Sequence, residues 1–161
     1  VRFKYWNRMP SGSQVPLTEP DLRRVRRIGG DGNCLFRCFS YIVTGCEEQH
    51  IQMRNAILEH MVSIAHLLIG HLMNYTSIQE YIEETQMYLS GTWGTELEIL
   101  TFSHLIQIPI YTFDVAQRKW WKYSPSVPER SQYQPAQQNE MGMYIRHPSC
   151  HYEVVCGVKP S

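Results

Sequence analysis

Charge gives this chain no direction. In 161 residues, 15 Lys and Arg stand against 15 Asp and Glu, for a formal net charge of zero. No overall field draws it to nucleic acid or to an anionic membrane, so neither is expected as a partner. No apolar run approaches the roughly 20 residues that span a bilayer. The opening Val1-Arg2-Phe3-Lys4-Tyr5-Trp6 lacks the long apolar core of a secretory signal. Internal repeats and low-complexity tracts are missing as well. The 5 cysteines, Cys34, Cys38, Cys46, Cys150 and Cys156, are odd in number and irregularly spaced. That argues against a disulfide scaffold and for a reducing compartment, cytoplasmic or nuclear. There is no initiator Met, which suggests a domain cut from a longer protein.

What is present reads as one folded unit. Hydrophobic content of 43% with 19% charged residues is ordinary for a globular chain, and the length suits a single core. Residues 1–20 are rich in Pro, Ser and Gly and are expected as an extended lead-in packing through Phe3, Tyr5 and Trp6. Residues 21–161 then form the single domain, expected to be a monomer. The basic run Arg23-Arg24-Val25-Arg26-Arg27 reads as a solvated face with Val25 and Ile28 inward.

Apolar residues at helical spacing predict a helix from Cys34 to Thr44-Gly45. A longer one is expected over about 48–72, with Ile51, Ala56, Ile57, Met61, Ile64 and Leu68 inward and its histidines at the rim. Capping-box patterns at Ser77–Glu80 and Thr95–Glu98 open two more, ending near Leu89 and Ile106. After Pro109 the period changes. Strands are expected at 110–113, 119–123, 143–146 and 151–155, with residues 124–140 a loop. Helices first and a small, mostly C-terminal sheet last make an α+β, three-layer α/β/α-like domain.

The chemistry concentrates in Gly29-Gly30-Asp31-Gly32-Asn33-Cys34-Leu35-Phe36-Arg37. Glycines on one side and a helical run on the other seat the Cys34 thiol at a helix N-terminus. There unpaired N–H groups favour negative charge, so a lowered thiol pKa is expected. The same N–H groups can stabilise an oxyanion on an attacked carbonyl. A base is needed, and His151 at the start of the last expected strand is the candidate. Residues two apart in a strand share a face, so Glu153 can stand behind His151 and orient it. A zinc site from His147, Cys150, His151 and Cys156 has suitable ligands but not the paired spacing of a structural finger, so no metal or cofactor is expected.

Asp31-Gly32-Asn33-Cys34-Leu35-Phe36-Arg37, Trp93-Gly94-Thr95-Glu96-Leu97-Glu98 and His151-Tyr152, in this order, resemble the ovarian-tumour (OTU) family of cysteine proteases. The resemblance spans roughly residues 24–158. It implies a papain-like OTU fold and a deubiquitinase cleaving the isopeptide bond after the C-terminal Gly-Gly of ubiquitin, with ubiquitin or polyubiquitin as partner. By the family pattern Cys34 is the nucleophile and His151 the general base. Asp31 would shape the oxyanion loop or join the catalytic set. Gly32, Asn33, Trp93, Gly94 and Tyr152 would border the substrate tail, the Trp93-Gly94 loop walling a slot that admits only small residues. Where the family commonly carries Asp or Asn, this chain has Glu153, which leaves Asp31 as the alternative orienter. Glu83, Glu84, Glu96 and Glu98 are candidates to meet the arginines of the tail. The same fold could also serve as a catalytically silent ubiquitin-binding module, against which the presence of both Cys34 and His151 counts.

Overall fold

Helix α1 (Cys34–Thr44) begins on the cysteine itself, and its apolar spacing buries Leu35, Phe36, Phe39 and Ile42 completely. Gly45 stops it in a left-handed conformation (φ 87°), its N–H donating to the Tyr41 carbonyl at 2.8 Å. This is a computed structural model, and it describes residues 7–8, 17–133 and 141–160. Phe3, Tyr5 and Trp6 of the expected lead-in lie outside the described residues.

The long second helix is broken. Helix α2 (His50–Ser63) ends where Ile64 leaves helical geometry, followed by α3 (Ala65–Leu68) and a 3-10 turn at Ile69–His71. The Ser63 hydroxyl donates to the His60 carbonyl at 2.7 Å, a local bond that competes with the helical ladder. The inward stripe of α2 is Arg54, Ile57, Leu58 and Met61, whereas Ile51 and Ala56 face solvent. Not all of its histidines sit at the rim: His50 is buried, and half-buried His60 meets His104 across to the next layer, Nε2 to Nδ1 at 2.9 Å.

Helix α4 (Ile78–Thr85) starts at Ser77, whose hydroxyl accepts from the Glu80 N–H at 3.1 Å. The Glu80 carboxylate turns to the Thr76 N–H instead of closing the box. The helix ends short of Leu89 because Gln86 turns left-handed (φ 55°). Helix α5 (Glu96–Ile106) has the complete box, with the Thr95 N–H donating to Glu98 Oε1 at 2.6 Å. Phe102 of α5 meets Phe39 of α1 with ring centroids 4.2 Å apart, which ties the two helices into one core.

The strands are β1 (Asn7–Arg8), β2 (Val25–Arg26), β3 (Ile110–Asp114), β4 (Lys119–Ser124), β5 (Glu129–Gln132), β6 (Met141–His147) and β7 (Glu153–Val155). Six run in the order β2-β7-β6-β3-β4-β5, and β1 pairs with β6 at Met141 and Gly142. Only the β3–β6 pairing is parallel among these, so the sheet is mixed and the domain α+β. Part of the expected loop at 124–140 is therefore strand β5, and residues 134–140 lie outside the described residues. Ile110, Met143, Ile145 and Val154 face the helices in the main core. Tyr111, Phe113, Trp120, Tyr144 and Val155 form a smaller aromatic cluster on the other face.

The β2–β7 pairing decides where a site can form. Strand β2, which leads into the glycine turn, lies antiparallel to β7 with Val25 opposite Val155 and Arg26 opposite Val154. The Cys156 N–H also donates to the Arg24 carbonyl at 2.8 Å. The two ends of the described domain are thus stitched side by side. Residues 29–34 and 151–152 leave that seam in the same direction.

Candidate active site

The turn before Cys34 is held in shape by its own side chains. Gly32 has φ 86°, a conformation that costs a residue with a Cβ, and a methyl group there would strike the Gly91 carbonyl. Asp31 folds back over the turn. Its Oδ1 accepts from the Asn33 N–H at 3.1 Å and from Arg37 Nε at 3.0 Å. Its Oδ2 accepts from Asn33 Nδ2 at 3.2 Å and from Arg37 Nη2 at 2.6 Å. The Arg37 guanidinium, helped by Asn33, holds the Asp31 carboxyl well below the usual carboxylate range. Because the Asp31 side chain is 46% exposed, the ion pair adds at most about 1 kcal/mol of stability, so its importance is geometric. Glu47 secures the other end of the turn, accepting from the Gly29 N–H at 3.1 Å.

Cys34 is 4% exposed. The nearby backbone N–H groups of Tyr152, Leu35 and Cys34 itself favour the thiolate. Burial outweighs them and pushes the thiol up, contrary to the lowering expected from the helix terminus alone. Losing water costs the anion more than a helix end returns. Burial therefore favours the thiol over the thiolate, and a base is needed to make the sulfur nucleophilic.

His151 does not begin a strand. It sits in the turn ahead of β7, where Ser149 is left-handed (φ 41°) and the His151 N–H donates to the carbonyls of Pro148 and Ser149 at 3.1 and 2.8 Å. Its Cε1 lies 3.9 Å from where a Cβ on Gly30 would stand, so the ring rests over the glycine turn. The structure thus brings His151 and the Cys34 turn together from opposite ends of the sequence.

The expected two-residue alignment of Glu153 behind His151 fails as argued, because β7 starts only at Glu153. Glu153 Oε1 accepts from Arg146 Nη1 at 2.7 Å, its antiparallel neighbour on β6. Among the described residues, the hydrogen bonds of His151 are those of its backbone N–H. Neither Asp31 nor Glu153 bonds its imidazole here. The Tyr152 ring is buried and stacks on His147 with centroids 4.1 Å apart, so it is not a substrate-facing ring.

The wall opposite the turn is built from residues 90–95. Trp93 is 57% exposed and its Cδ1 lies 3.1 Å from a Cβ placed on Gly32, so it stands beside the nucleophile's turn with its ring open to solvent. Gly94 faces inward, where a Cβ would press on Leu35 Cδ2 at 2.6 Å. Asn33 is buried, and its Oδ1 accepts from the Gly91 N–H at 2.7 Å and from Arg54 Nη2 at 2.8 Å. It fastens the wall to the turn. Glu98 is fully buried, bonded to Tyr81 and Thr95, and is unavailable to any tail; Glu96 is exposed and paired with Arg130. Arg37, Glu47 and Arg54 were not singled out from the sequence. For Arg37 and Glu47 the available signal was their charge flanking a glycine turn.

A buried thiol at a helix N-terminus, met by the loop of a distant histidine, is the arrangement of thiol hydrolases. Residues 29–152 match the family described as OTU-like cysteine protease. The chain belongs to that family. It is 30% identical over 115 residues to the 232R protein of Invertebrate iridescent virus 3, provisionally named a ubiquitin thioesterase. That match covers 65% of this chain and 14% of the relative, so the chain spans a small part of the relative's length. Among solved structures, the viral OTU domain protease of Dera Ghazi Khan virus is 20% identical, with a TM-score of 0.62 over 84% of this chain and 81% of that one. The Hazara virus OTU bound to ubiquitin is 15% identical, with a TM-score of 0.58 over 85% and 82%. At such identities these two establish the fold.

Proposed function

We propose that this domain is a thiol-dependent deubiquitinase that hydrolyses the isopeptide bond after the C-terminal Gly-Gly of ubiquitin. The observation that carries the reading is the His151 ring resting over Gly30, four residues before the buried Cys34 that opens α1. The reading takes the exposed Trp93 beside Gly32 as one wall of the slot for the Gly-Gly tail. The relative's provisional name and the ubiquitin-bound Hazara virus structure support the substrate class.

In this mechanism His151 takes the Cys34 proton as the sulfur attacks the carbonyl carbon of the terminal glycine. The oxyanion forms near the N-terminus of α1, within reach of its N–H groups. His151 returns the proton to the departing lysine amine, the C–N bond breaks, and a thioester remains. Water then attacks, giving its proton to His151, and the thiolate leaves to be reprotonated. Asp31 keeps the turn in shape through Asn33 and Arg37. The raised thiol pKa gives the silent-module reading a foothold, and the test separates the two.

Cys34→Ala and His151→Ala are each expected to abolish hydrolysis of a ubiquitin C-terminal fluorogenic amide while both variants still bind ubiquitin. The two losses should be similar, because such residues act as a unit. A wild-type chain that binds ubiquitin but never releases the fluorophore would be a silent module.

A further inference from the structure

Arg54 is 1% exposed, an unusual place for a guanidinium. Among the described residues no carboxylate lies within ion-pair distance of it. Its partners are instead backbone carbonyls, one amide oxygen and the Met87 sulfur, 3.7 Å from Nη1. Nη1 donates to the Met87 carbonyl at 2.8 Å, and Nη2 donates to the Thr92 carbonyl and to Asn33 Oδ1, each at 2.8 Å. The plane lies over Phe36, 4.0 Å from the ring centroid. Nε has no partner.

These contacts have a pattern. Asn33 and Phe36 flank the nucleophile at the start of α1, whereas Met87 and Thr92 lie on the stretch that leads into Trp93. Asn33 Oδ1 also accepts from the Gly91 N–H, so one oxygen joins the turn, the wall and Arg54. Stability alone gives no reason to bury a cation here, since a well-packed apolar side chain usually serves as well. A planar fork with several fixed donors does what an apolar chain cannot: it sets the separation of two backbone segments.

We propose that Arg54 is a positioning residue for the hydrolysis, holding the Cys34 turn and the Trp93 wall at one fixed spacing and so setting the width of the slot. The inference rests on the deubiquitinase reading for its kinetic half; its structural half does not. The spacing is felt most when the oxyanion forms, so loss of Arg54 lowers kcat more than it raises KM.

The test compares Arg54→Lys, which keeps the charge but offers one nitrogen, with Ile57→Ala, a fully buried apolar site on the same helix. Arg54→Lys is expected to lower kcat on the ubiquitin fluorogenic amide at least tenfold, with a smaller change in KM. Exchange of the Gly91 amide, followed by NMR, should quicken at least tenfold while the Ile145 amide is unaffected. Ile57→Ala, assayed below its melting point, should keep kcat within about twofold, as expected for a site without polar contact to the turn. Equal kcat losses in the two variants, or an unchanged kcat in Arg54→Lys, would overturn the proposal. If Arg54→Lys does not fold, Arg54→Gln, which leaves the Gly91 N–H its Asn33 acceptor, must show the same kcat loss and faster Gly91 exchange; wild-type values for both sink it. A wild-type chain without ubiquitin hydrolase activity would end the deubiquitinase reading. Gly91 exchange then decides alone: quickened in Arg54→Lys only, the tie between turn and wall stands; unchanged, it falls.

Discussion

Replacing Gly32 by alanine places a methyl group where two obstacles meet. The backbone there has φ 86°, and a left-handed conformation costs a residue with a Cβ about 1–2 kcal/mol. The methyl also strikes the Gly91 carbonyl and approaches Trp93 Cδ1 at 3.1 Å. A carbonyl cannot swing aside as the end of a side chain can. Relief requires the wall to retreat, breaking the 2.7 Å bond from the Gly91 N–H to Asn33 Oδ1. That bond contributes about 0.5–1.5 kcal/mol, for a combined loss of about 1.5–3.5 kcal/mol. For a domain of this size that is a fall in Tm of roughly 3–14 °C. Hydrolysis should fall by about two orders of magnitude, because a displaced wall misplaces the carbonyl against its oxyanion donors. Gly30→Ala is the matched control for stability, since a methyl there meets only His151 Cε1 at an ordinary 3.9 Å. Calorimetry reads the first effect and single-turnover release of the fluorophore the second. A Gly32→Ala protein melting within about 1 °C of wild type would refute the reasoning from steric contact.

Asp31→Ala and Glu153→Ala should separate cleanly in the same assay. Asp31 gathers Asn33 and Arg37 onto the turn, so its loss should lower kcat by tenfold or more, whereas Glu153, taken up by Arg146, should cost less; the reverse order would make Glu153 the orienter of His151. Burial raises the Cys34 pKa, so the protonated thiol is favoured in the fold: its stabilisation is complete below the unfolded thiol pKa and is lost as pH rises through the folded one. Alkylation of Cys34 by iodoacetamide in the free protein should accordingly keep rising beyond the pH at which a small-molecule thiol levels off, and a plateau near neutral pH would contradict this.

Helix α1 was legible because its burial is local: the 3.6-residue period, the leading cysteine turn and Gly45 all lie within one stretch. The Thr95 box was legible for the same reason. Strand β5 was not. Glu129-Arg130-Ser131-Gln132 has no apolar alternation, and it is placed by pairing with β4 and by Arg130 stacking over Trp121 at 4.0 Å. The start of β7 was set two residues early because nothing local reveals that Ser149 turns left-handed. With His151 outside the strand, the two-residue period no longer aligns Glu153 behind it, and Glu153 bonds Arg146. Arg54 was hidden by its chemistry. A charged residue in a helix reads as solvent-facing, and its partners Met87 and Thr92 lie far along the chain. The Cys34 pKa was misjudged because a sequence displays the helix end but not the depth of burial.

The central claim is that Cys34 attacks the carbonyl at the end of a ubiquitin tail with His151 as its base. Ubiquitin carrying a C-terminal electrophile, incubated with the chain and followed by peptide mass mapping, tests it most directly. One covalent adduct is expected, on Cys34, greatly slowed in His151→Ala. Modification of Cys38, Cys46, Cys150 or Cys156 instead, or none while the probe labels a control deubiquitinase, would contradict it.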